Sequence, residues 1–238
     1  MTDIVFRSDM TVELIDHMGD DRRVVRAARV STGTDELPEI PAKEFASTKG
    51  LIKYLMENRH GSPFEKGVFE FRIECPIFAA REFMRHRVAS YNETSGRYRE
   101  LDPVFWIPAS SRPLQQSGKP GAYDMRPGTQ GQWERQVRRN KNAAEIAYGL
   151  YQDALADGIC REVARTSLGL SIYTSFYVTI NARSLMNFLS LRIDDPANTF
   201  ITKPQHEIEQ VARQMQVYFA ERMPVTWAAF DANGRVAP

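Results

Sequence analysis

The clearest strand in this sequence is Gly-Val-Phe-Glu-Phe-Arg-Ile-Glu-Cys, residues 67–75. Its side chains alternate between apolar and charged, with Phe69, Phe71, Ile73 and Cys75 on one face and Glu70, Arg72 and Glu74 on the other. This two-residue period is typical of a strand with one buried face, so Cys75 is interpreted as a small core residue. Pro76 lacks a backbone donor, and we expect the strand to stop there and a helix to follow.

Helical periodicity dominates the rest of the chain. Apolar residues recurring every three or four positions predict helices over residues 21–30, 42–58, 77–88, 133–157, 161–168, 182–192 and 204–222. Residues 10–18 predict an early strand, and 172–180 fit either a strand or a buried helical segment. Polar, proline-containing sequence fills the interval up to Pro41. These patterns predict an α+β protein with a modest sheet and several long helices.

Composition predicts one soluble domain. The chain has 238 residues, of which 42% are hydrophobic, enough to bury a core. Residues 109–131 are rich in glycine, proline and polar side chains, and we expect a mobile insertion there. The first residues lack a signal-peptide pattern, and no apolar run approaches the ~20 residues of a membrane span. We therefore expect a cytoplasmic protein that does not bind membranes.

The charge balance and the cysteine content argue against a nucleic-acid coat, a disulfide-stabilised fold and a cysteine metal site. Lysine and arginine number 31 against 30 acidic residues, for a formal charge of +1, which argues against a general nucleic-acid coat. The two cysteines, Cys75 and Cys160, form neither a disulfide framework nor a metal-ligand pattern. We accordingly predict no metal site.

The densest group of reactive side chains is Arg-His-Arg-Val-Ala-Ser-Tyr-Asn-Glu-Thr-Ser-Gly-Arg-Tyr, residues 85–98. Guanidinium groups bind phosphate or carboxylate through paired hydrogen bonds, and Gly96 allows backbone N–H groups to approach the same anion. A phosphorylated small molecule suits this cluster. The alternative is a helix end whose cations complement the dipole, at ~0.3–1 kcal/mol each, which explains Arg85 and Arg87 but not the residues after them.

A second cluster lies in the predicted helix 182–192, which Asn181 can cap. Arg183 and Asn187 are four residues apart on one face and can reach one ligand together. Arg192 falls in line with an apolar stripe, where a charge needs a partner. That partner is either one of the following residues, Asp194 and Asp195, or the polar edge of a ligand.

Two shorter features can be explained by structural roles. Ser62 and Glu65, with Pro63 between them, have the form of a capping box. Arg165, taken alone, is interpreted as a solvated or salt-bridged arginine.

The spacing of Arg85-His86-Arg87, seven residues and then Ser95 resembles the signature of the flavin-dependent thymidylate synthases. Three more blocks resemble that family in order and spacing: residues 60–65, 161–165 and 181–192. The resemblance covers about residues 55–230, apart from 109–131. It implies that family's fold, a small mostly antiparallel sheet packed with long helices.

The resemblance also implies the chemistry. Members convert dUMP to dTMP, with methylenetetrahydrofolate as one-carbon donor and NADPH as reductant acting through FAD, in a homotetramer with shared active sites. By similarity, the FAD-binding residues are Ser62, Glu65, Arg85, His86, Arg87, Glu93, Asn181, Arg183 and Asn187. The residues that surround dUMP are, by the same similarity, Glu82, Arg85, Glu93, Thr94, Ser95, Gly96, Arg97, Arg165 and Arg192.

Elementary chemistry gives physical sense to a catalytic role for Arg192, which the resemblance places at dUMP. Methylation at C5 of uracil requires electron density there, and the motif blocks contain no cysteine to supply it by addition. Arg192 can stabilise negative charge that develops on the pyrimidine edge. Ser95 is interpreted as a substrate-binding hydroxyl, since no base adjoins it.

Three positions depart from the family pattern: Glu82 stands where glutamine is common, Lys66 where histidine is common, and a histidine expected soon after Arg192 is missing. Glu82 and the altered region after Arg192 motivate an alternative, a flavin enzyme of the same fold acting on a different pyrimidine nucleotide. A nucleic-acid-binding module using Arg85, Arg87, Arg97 and Arg99 is the other alternative.

Overall fold

The structure is a computed structural model that describes residues 3–33, 42–120 and 122–238. Its strands are β1 (Val5–Arg7), β2 (Thr11–Met18), β3 (Val68–Pro76), β4 (Ser90–Glu93), β5 (Val104–Trp106), β6 (Gln115–Lys119), β7 (Ala122–Arg126) and β8 (Tyr173–Asn181). Its helices are α1 (Asp21–Arg29), α2 (Ala42–Glu57), α3 (Ile77–Phe83), α4 (Gln130–Ala156), α5 (Arg161–Ala164), α6 (Ala182–Arg192), α7 (His206–Arg222) and α8 (Pro224–Ala232). Short 3₁₀ helices lie at Val30–Thr32, Ser62–Lys66 and Arg165–Ser167. The predicted α+β class is confirmed.

A four-stranded sheet has the order β2-β3-β8-β4. In β3 the side chains of Phe69, Phe71, Ile73 and Cys75 are buried, as their alternation predicted. Residues 172–180, left open between strand and helix, form most of β8. Elsewhere β1 pairs with β5 in parallel, and β6 pairs with β7 as an antiparallel hairpin.

The chain divides into two compact units. Unit 1 consists of Met1–Thr11, Ile73–Arg85 and Asn92–Phe176. Its core forms around α4, where Tyr148 and Tyr151 are buried with Phe105 and Ile172. Helix α4 begins at a full capping box, in which Thr129 and Gln132 satisfy each other's backbone N–H groups.

Unit 2 consists of Val12–Arg72, His86–Tyr91 and Tyr177–Pro238. Its core is aromatic, since the Phe69 ring stacks on Phe71 at 5.9 Å and meets Phe219 edge-on at 5.8 Å. The buried carboxylate of Asp21 accepts hydrogen bonds from the backbone N–H of Val225 and from the N–H and hydroxyl of Thr226, which attaches α1 to α8. Burial raises the pKa of Asp21, although these three bonds act in the opposite direction.

The predicted end of one helix is wrong. Helix α3 ends at Phe83 rather than near Val88, so Arg85, His86 and Arg87 lie beyond its last turn. The expected mobile insertion at 109–131 contains the hairpin of β6 and β7. Helix α8, which follows α7, has no counterpart among the predicted helices.

Two further expectations concern the segment before Pro41 and membrane spans. The predicted polar segment up to Pro41 lies, from residue 34 onward, outside the described residues. Across the described ranges, no helix is both long enough and apolar enough to cross a membrane.

Candidate active site

The residues of the four motif blocks fall into two groups. Unit 2 holds most of the residues that the resemblance assigns to FAD, here called the flavin set: Ser62, Glu65, His86, Arg87, Asn181, Arg183 and Asn187. Unit 1 holds most of the residues that it assigns to dUMP, here called the nucleotide set: Glu82, Arg85, Glu93, Thr94, Ser95, Gly96, Arg97 and Arg165. The resemblance assigns Arg85 and Glu93 to FAD as well. Arg192 belongs to unit 2.

Arg183 is the best-anchored member of the flavin set. Its Nη1 donates to Oε1 of Glu65 at 2.8 Å, and its Nε donates to the carbonyl oxygen of Pro238 at 2.7 Å. Gly61 permits this approach, because a Cβ there would collide with the guanidinium and lie 2.8 Å from the same carbonyl. These two contacts fix the orientation of the guanidinium plane, while 42% of the Arg183 side chain stays exposed.

The turn before β3 does not contain the predicted capping box. The 3₁₀ helix Ser62–Lys66 begins after Gly61, and no side chain caps it. Ser62 is exposed, and Glu65 is bound by Arg183 from 118 residues away. The carboxylate of Glu65 therefore points to Arg183 and not to the local backbone.

Asn181 and Asn187 have different surroundings on α6. The Asn181 side chain accepts from the backbone N–H of Ser184 at 2.9 Å, which confirms it as the helix cap. Asn187 is exposed, and its amide donates to the backbone carbonyl of Arg183 at 3.3 Å. Arg183 and Asn187 are thus neighbours on one face of α6; that they reach one ligand together stays a prediction.

His86 and Arg192 are hydrogen-bonded to each other. Nε of Arg192 donates to Nε2 of His86 at 2.9 Å, and the imidazole packs edge-on against Phe188 at 4.8 Å. Burial, followed by the positive charge of Arg192, lowers the pKa of His86 to about 4. The imidazole is therefore neutral at physiological pH, and its Nε2 lone pair is the acceptor.

Two neighbours complete the surroundings of this pair. The hydroxyl of Tyr91 donates to the backbone carbonyl of His86 at 2.7 Å, and burial raises the pKa of Tyr91 to about 12, which keeps the phenol protonated. Asp194 and Asp195, considered as partners of Arg192, are bound by Lys203 and Arg235.

In unit 1, Glu93 at the end of β4 and Thr94 just after it are bonded to β8. Thr174 donates its hydroxyl to Oε1 of Glu93 at 2.7 Å, and the backbone N–H of Thr94 donates to the carbonyl of Ser175 at 2.9 Å. Thr174 was not predicted as a site residue. The signal for it is a hydroxyl at a buried position of an otherwise apolar strand.

Gly96 brings the 93–97 segment against Arg165. The glycine is buried, and a Cβ there would lie 3.2 Å from Cδ of Arg165 and 3.0 Å from a methyl of Leu101. Oγ of Ser95 accepts from the backbone N–H of Arg97 at 3.3 Å. Arg97 also forms an exposed ion pair with Glu162 of α5 at 3.1 Å. Ser95, Arg97 and Arg165 are therefore close neighbours.

The cysteines have no nucleophilic surroundings. Burial raises the pKa of Cys75 to about 12, with a smaller contribution from the charge of Glu93, so the thiol stays protonated at neutral pH. Cys160 is exposed at the start of α5. The interpretation of Cys75 as a core residue is confirmed.

Comparison with known proteins identifies the family. Residues 13–225 match the family described as "Thymidylate synthase complementing protein". The flavin-dependent thymidylate synthase of Streptomyces avermitilis is 51% identical, over 98% of this chain and 95% of that protein. The enzyme of the same name from Tropheryma whipplei is 50% identical, over 99% and 98%. The chain therefore belongs to the flavin-dependent thymidylate synthase family, as the motif blocks predicted.

A solved structure gives the same result for the fold. The UMP/dUMP methylase PolB from Streptomyces cacaoi, in a crystal structure bound with 5-Br UMP, superposes with a TM-score of 0.91 at 48% identity over 99% of both chains. A second crystal structure of PolB, bound with 5-Br dUMP, gives the same score. Neither comparison favours the nucleic-acid-binding alternative.

Proposed function

We propose that this enzyme catalyses the reductive methylation of dUMP to dTMP, with FAD as cofactor, methylenetetrahydrofolate as one-carbon donor and NADPH as reductant. The family membership and the bromo-nucleotide bound to PolB support a pyrimidine nucleotide as the substrate. The single observation that carries the proposal is the bond between His86 and Arg192, because it joins the two motif blocks to which the resemblance assigns the chemistry.

The nucleotide set suits the monophosphate and the sugar. Ser95, the backbone after Gly96, Arg97 and Arg165 provide hydroxyl, N–H and guanidinium donors within a short stretch, which is the donor set that phosphate prefers. Glu93, whose carboxylate is oriented by Thr174, is suited to accept from a sugar hydroxyl. Arg85 is exposed, and Glu82 is half-buried.

The flavin set has the donor chemistry that FAD requires. A dinucleotide presents a negatively charged diphosphate and a ring edge with donors and acceptors. Arg87 is exposed and forms no ion pair with any described residue, and Arg183 and Asn187 present a cation and an amide side by side. When bound there, FAD would carry the hydride chemistry that no side chain can perform.

Arg192 would stabilise the charge that develops on the uracil edge during methylation. A fixed donor is effective because it needs no reorientation during the reaction. The neutral Nε2 of His86 holds Nε of Arg192 and so orients the guanidinium plane. Since the Cys75 thiol stays protonated at neutral pH, it offers no thiolate to activate C6. The role of Arg192 is therefore electrostatic rather than nucleophilic.

Assembly belongs to the same proposal. The resemblance implies a homotetramer in which neighbouring subunits complete each active site. We expect size-exclusion chromatography with light scattering to give four times the chain mass.

The test is a turnover assay with purified protein supplied with FAD, methylenetetrahydrofolate and NADPH. We expect a yellow protein that forms dTMP from dUMP. UMP is included as a second substrate, because PolB is a UMP/dUMP methylase. A colourless protein that releases no dTMP from dUMP would disprove the proposed function.

A further inference from the structure

A cavity of about 540 Å³ lies in unit 2 along helix α1, outside both the flavin set and the nucleotide set. We name it the α1 cavity. It is lined by Gly19, Asp20, Arg22, Arg23, Arg26, Ala27, Val30 and Lys66. Its volume is that of a small-molecule site.

Positive charge dominates its lining. Among the described residues that line the cavity, Arg22, Arg23, Arg26 and Lys66 face one carboxylate, that of Asp20. That carboxylate is already engaged, because it accepts from the backbone N–H groups of Arg22 and Arg23 as the cap of α1. No ion pair joins the four cations to a side chain that the structure describes. The described part of the lining therefore carries an excess of positive charge.

The lining is held in place by the backbone. Gly19 has a φ of +85°, and a Cβ there would lie 2.9 Å both from Cδ of Arg23 and from the carbonyl oxygen of Lys66. Only a glycine lets the stem of Arg23 and the backbone of Lys66 approach in this way. Asp21, buried against Thr226, fixes the first turn of α1 behind them.

The position and spacing of the cations suggest what they bind. Lys66 directly follows Glu65, which holds Arg183, so the cavity adjoins the flavin set. Arg22 and Arg26 are one helical turn apart, a rise of about 6 Å, and suit anionic groups repeated along a chain. Arg22 also lies 5.8 Å over the ring of Phe45.

We propose that the α1 cavity binds the anionic portion of a co-substrate, a chain that carries several carboxylates or phosphates. This inference rests on the proposed function, whose co-substrates both have such a portion. Folates carry glutamate carboxylates on a tail remote from the reacting pteridine. NADPH carries a diphosphate and a 2′-phosphate remote from the nicotinamide. Binding there would hold the co-substrate while leaving its reacting end near the flavin.

The test uses the flavin-loaded enzyme and the double variant Arg22→Gln/Arg26→Gln. The matched control is Arg138→Gln/Arg222→Gln, which removes the same charge from exposed positions on α4 and α7. Dissociation constants are measured by calorimetry for tetrahydrofolate with one and with five glutamates, and for NADP⁺ and NAD⁺. Retained flavin and an unchanged unfolding midpoint show that each variant is folded.

If the cavity holds a folate tail, the double variant weakens binding of the five-glutamate folate by about tenfold or more and leaves the one-glutamate folate unchanged. If the cavity holds the dinucleotide, the double variant weakens binding of NADP⁺ by a similar factor and weakens binding of NAD⁺ by less. Unchanged constants for all four ligands, or equal losses in the control, would overturn the inference. Because these are binding constants, they are readable even if wild-type protein forms no dTMP.

Discussion

Arg192 donates a hydrogen bond from Nε to Nε2 of His86, and the two atoms are 2.9 Å apart. The bond requires a neutral imidazole whose proton is on Nδ1, and the lowered pKa of His86 ensures that state. We therefore interpret His86 as a positioning residue for Arg192, in addition to its proposed contact with flavin.

Replacing Arg192 tests the electrostatic role. We expect Arg192→Ala to lower kcat by at least about 10²- to 10³-fold, as the loss of one preorganised donor does. Flavin absorbance should stay near the wild-type value. Arg222→Ala, an exposed arginine on α7, is the matched control and should retain activity. Loss of flavin from the Arg192 variant would show that its role is cofactor binding.

The state of His86 predicts a pH dependence of stability. Its pKa is lowered from 6.5 to about 4, so the unfolded chain binds more protons between these values. The His86 contribution to the free energy of unfolding is therefore complete above about pH 6.5 and is lost as the pH falls towards about 4. His86→Gln keeps a polar side chain that does not titrate. Urea unfolding at about pH 7 and about pH 5 should show a smaller decrease for this variant than for wild type. Equal decreases would contradict the assignment.

Replacing Ser95 tests its interpretation as a substrate-binding hydroxyl. Its Oγ accepts from the backbone N–H of Arg97, which places it in the nucleotide set. We expect Ser95→Ala to raise the KM for dUMP about tenfold while kcat stays within about twofold, the pattern of lost ground-state binding. Ser90→Ala, at an exposed position in β4, is the control. Complete loss of turnover at saturating dUMP would instead indicate a nucleophile.

The ion pair between Glu65 and Arg183 tests the flavin set. Both side chains are about two-fifths exposed, so Glu65→Gln should change the free energy of unfolding by less than about 1 kcal/mol. We expect the dissociation constant of FAD to rise by about tenfold, because Arg183 loses the charged partner in one of the two contacts that orient it. The control is Glu57→Gln, which breaks the exposed pair with Lys53 on α2. Equal FAD affinity in the two variants would show that orientation of Arg183 is irrelevant.

Local patterns accounted for the secondary structure wherever one physical signal dominated. Alternation from Phe69 to Cys75 predicted β3, and the capping amide of Asn181 predicted the start of α6. The end of α3 was predicted five residues too late, because no glycine or proline marks it. Tertiary contacts hold the residues after this helix end instead. The Tyr91 hydroxyl donates to the backbone carbonyl of His86, and the His86 ring packs edge-on against Phe188.

In the candidate site, too, some features follow from the sequence and others only from the tertiary structure. The sequence alone determined the motif blocks, the family and the placement of Arg183 and Asn187 on one face of α6, since each follows from spacing along the chain. Only the tertiary structure decided that Glu65 serves Arg183 rather than a local cap, that Thr174 orients Glu93, and that His86 holds Arg192. Each of these bonds joins residues at least 81 positions apart, so the partner is set by how the chain folds and not by local spacing. No short-range pattern encodes that choice.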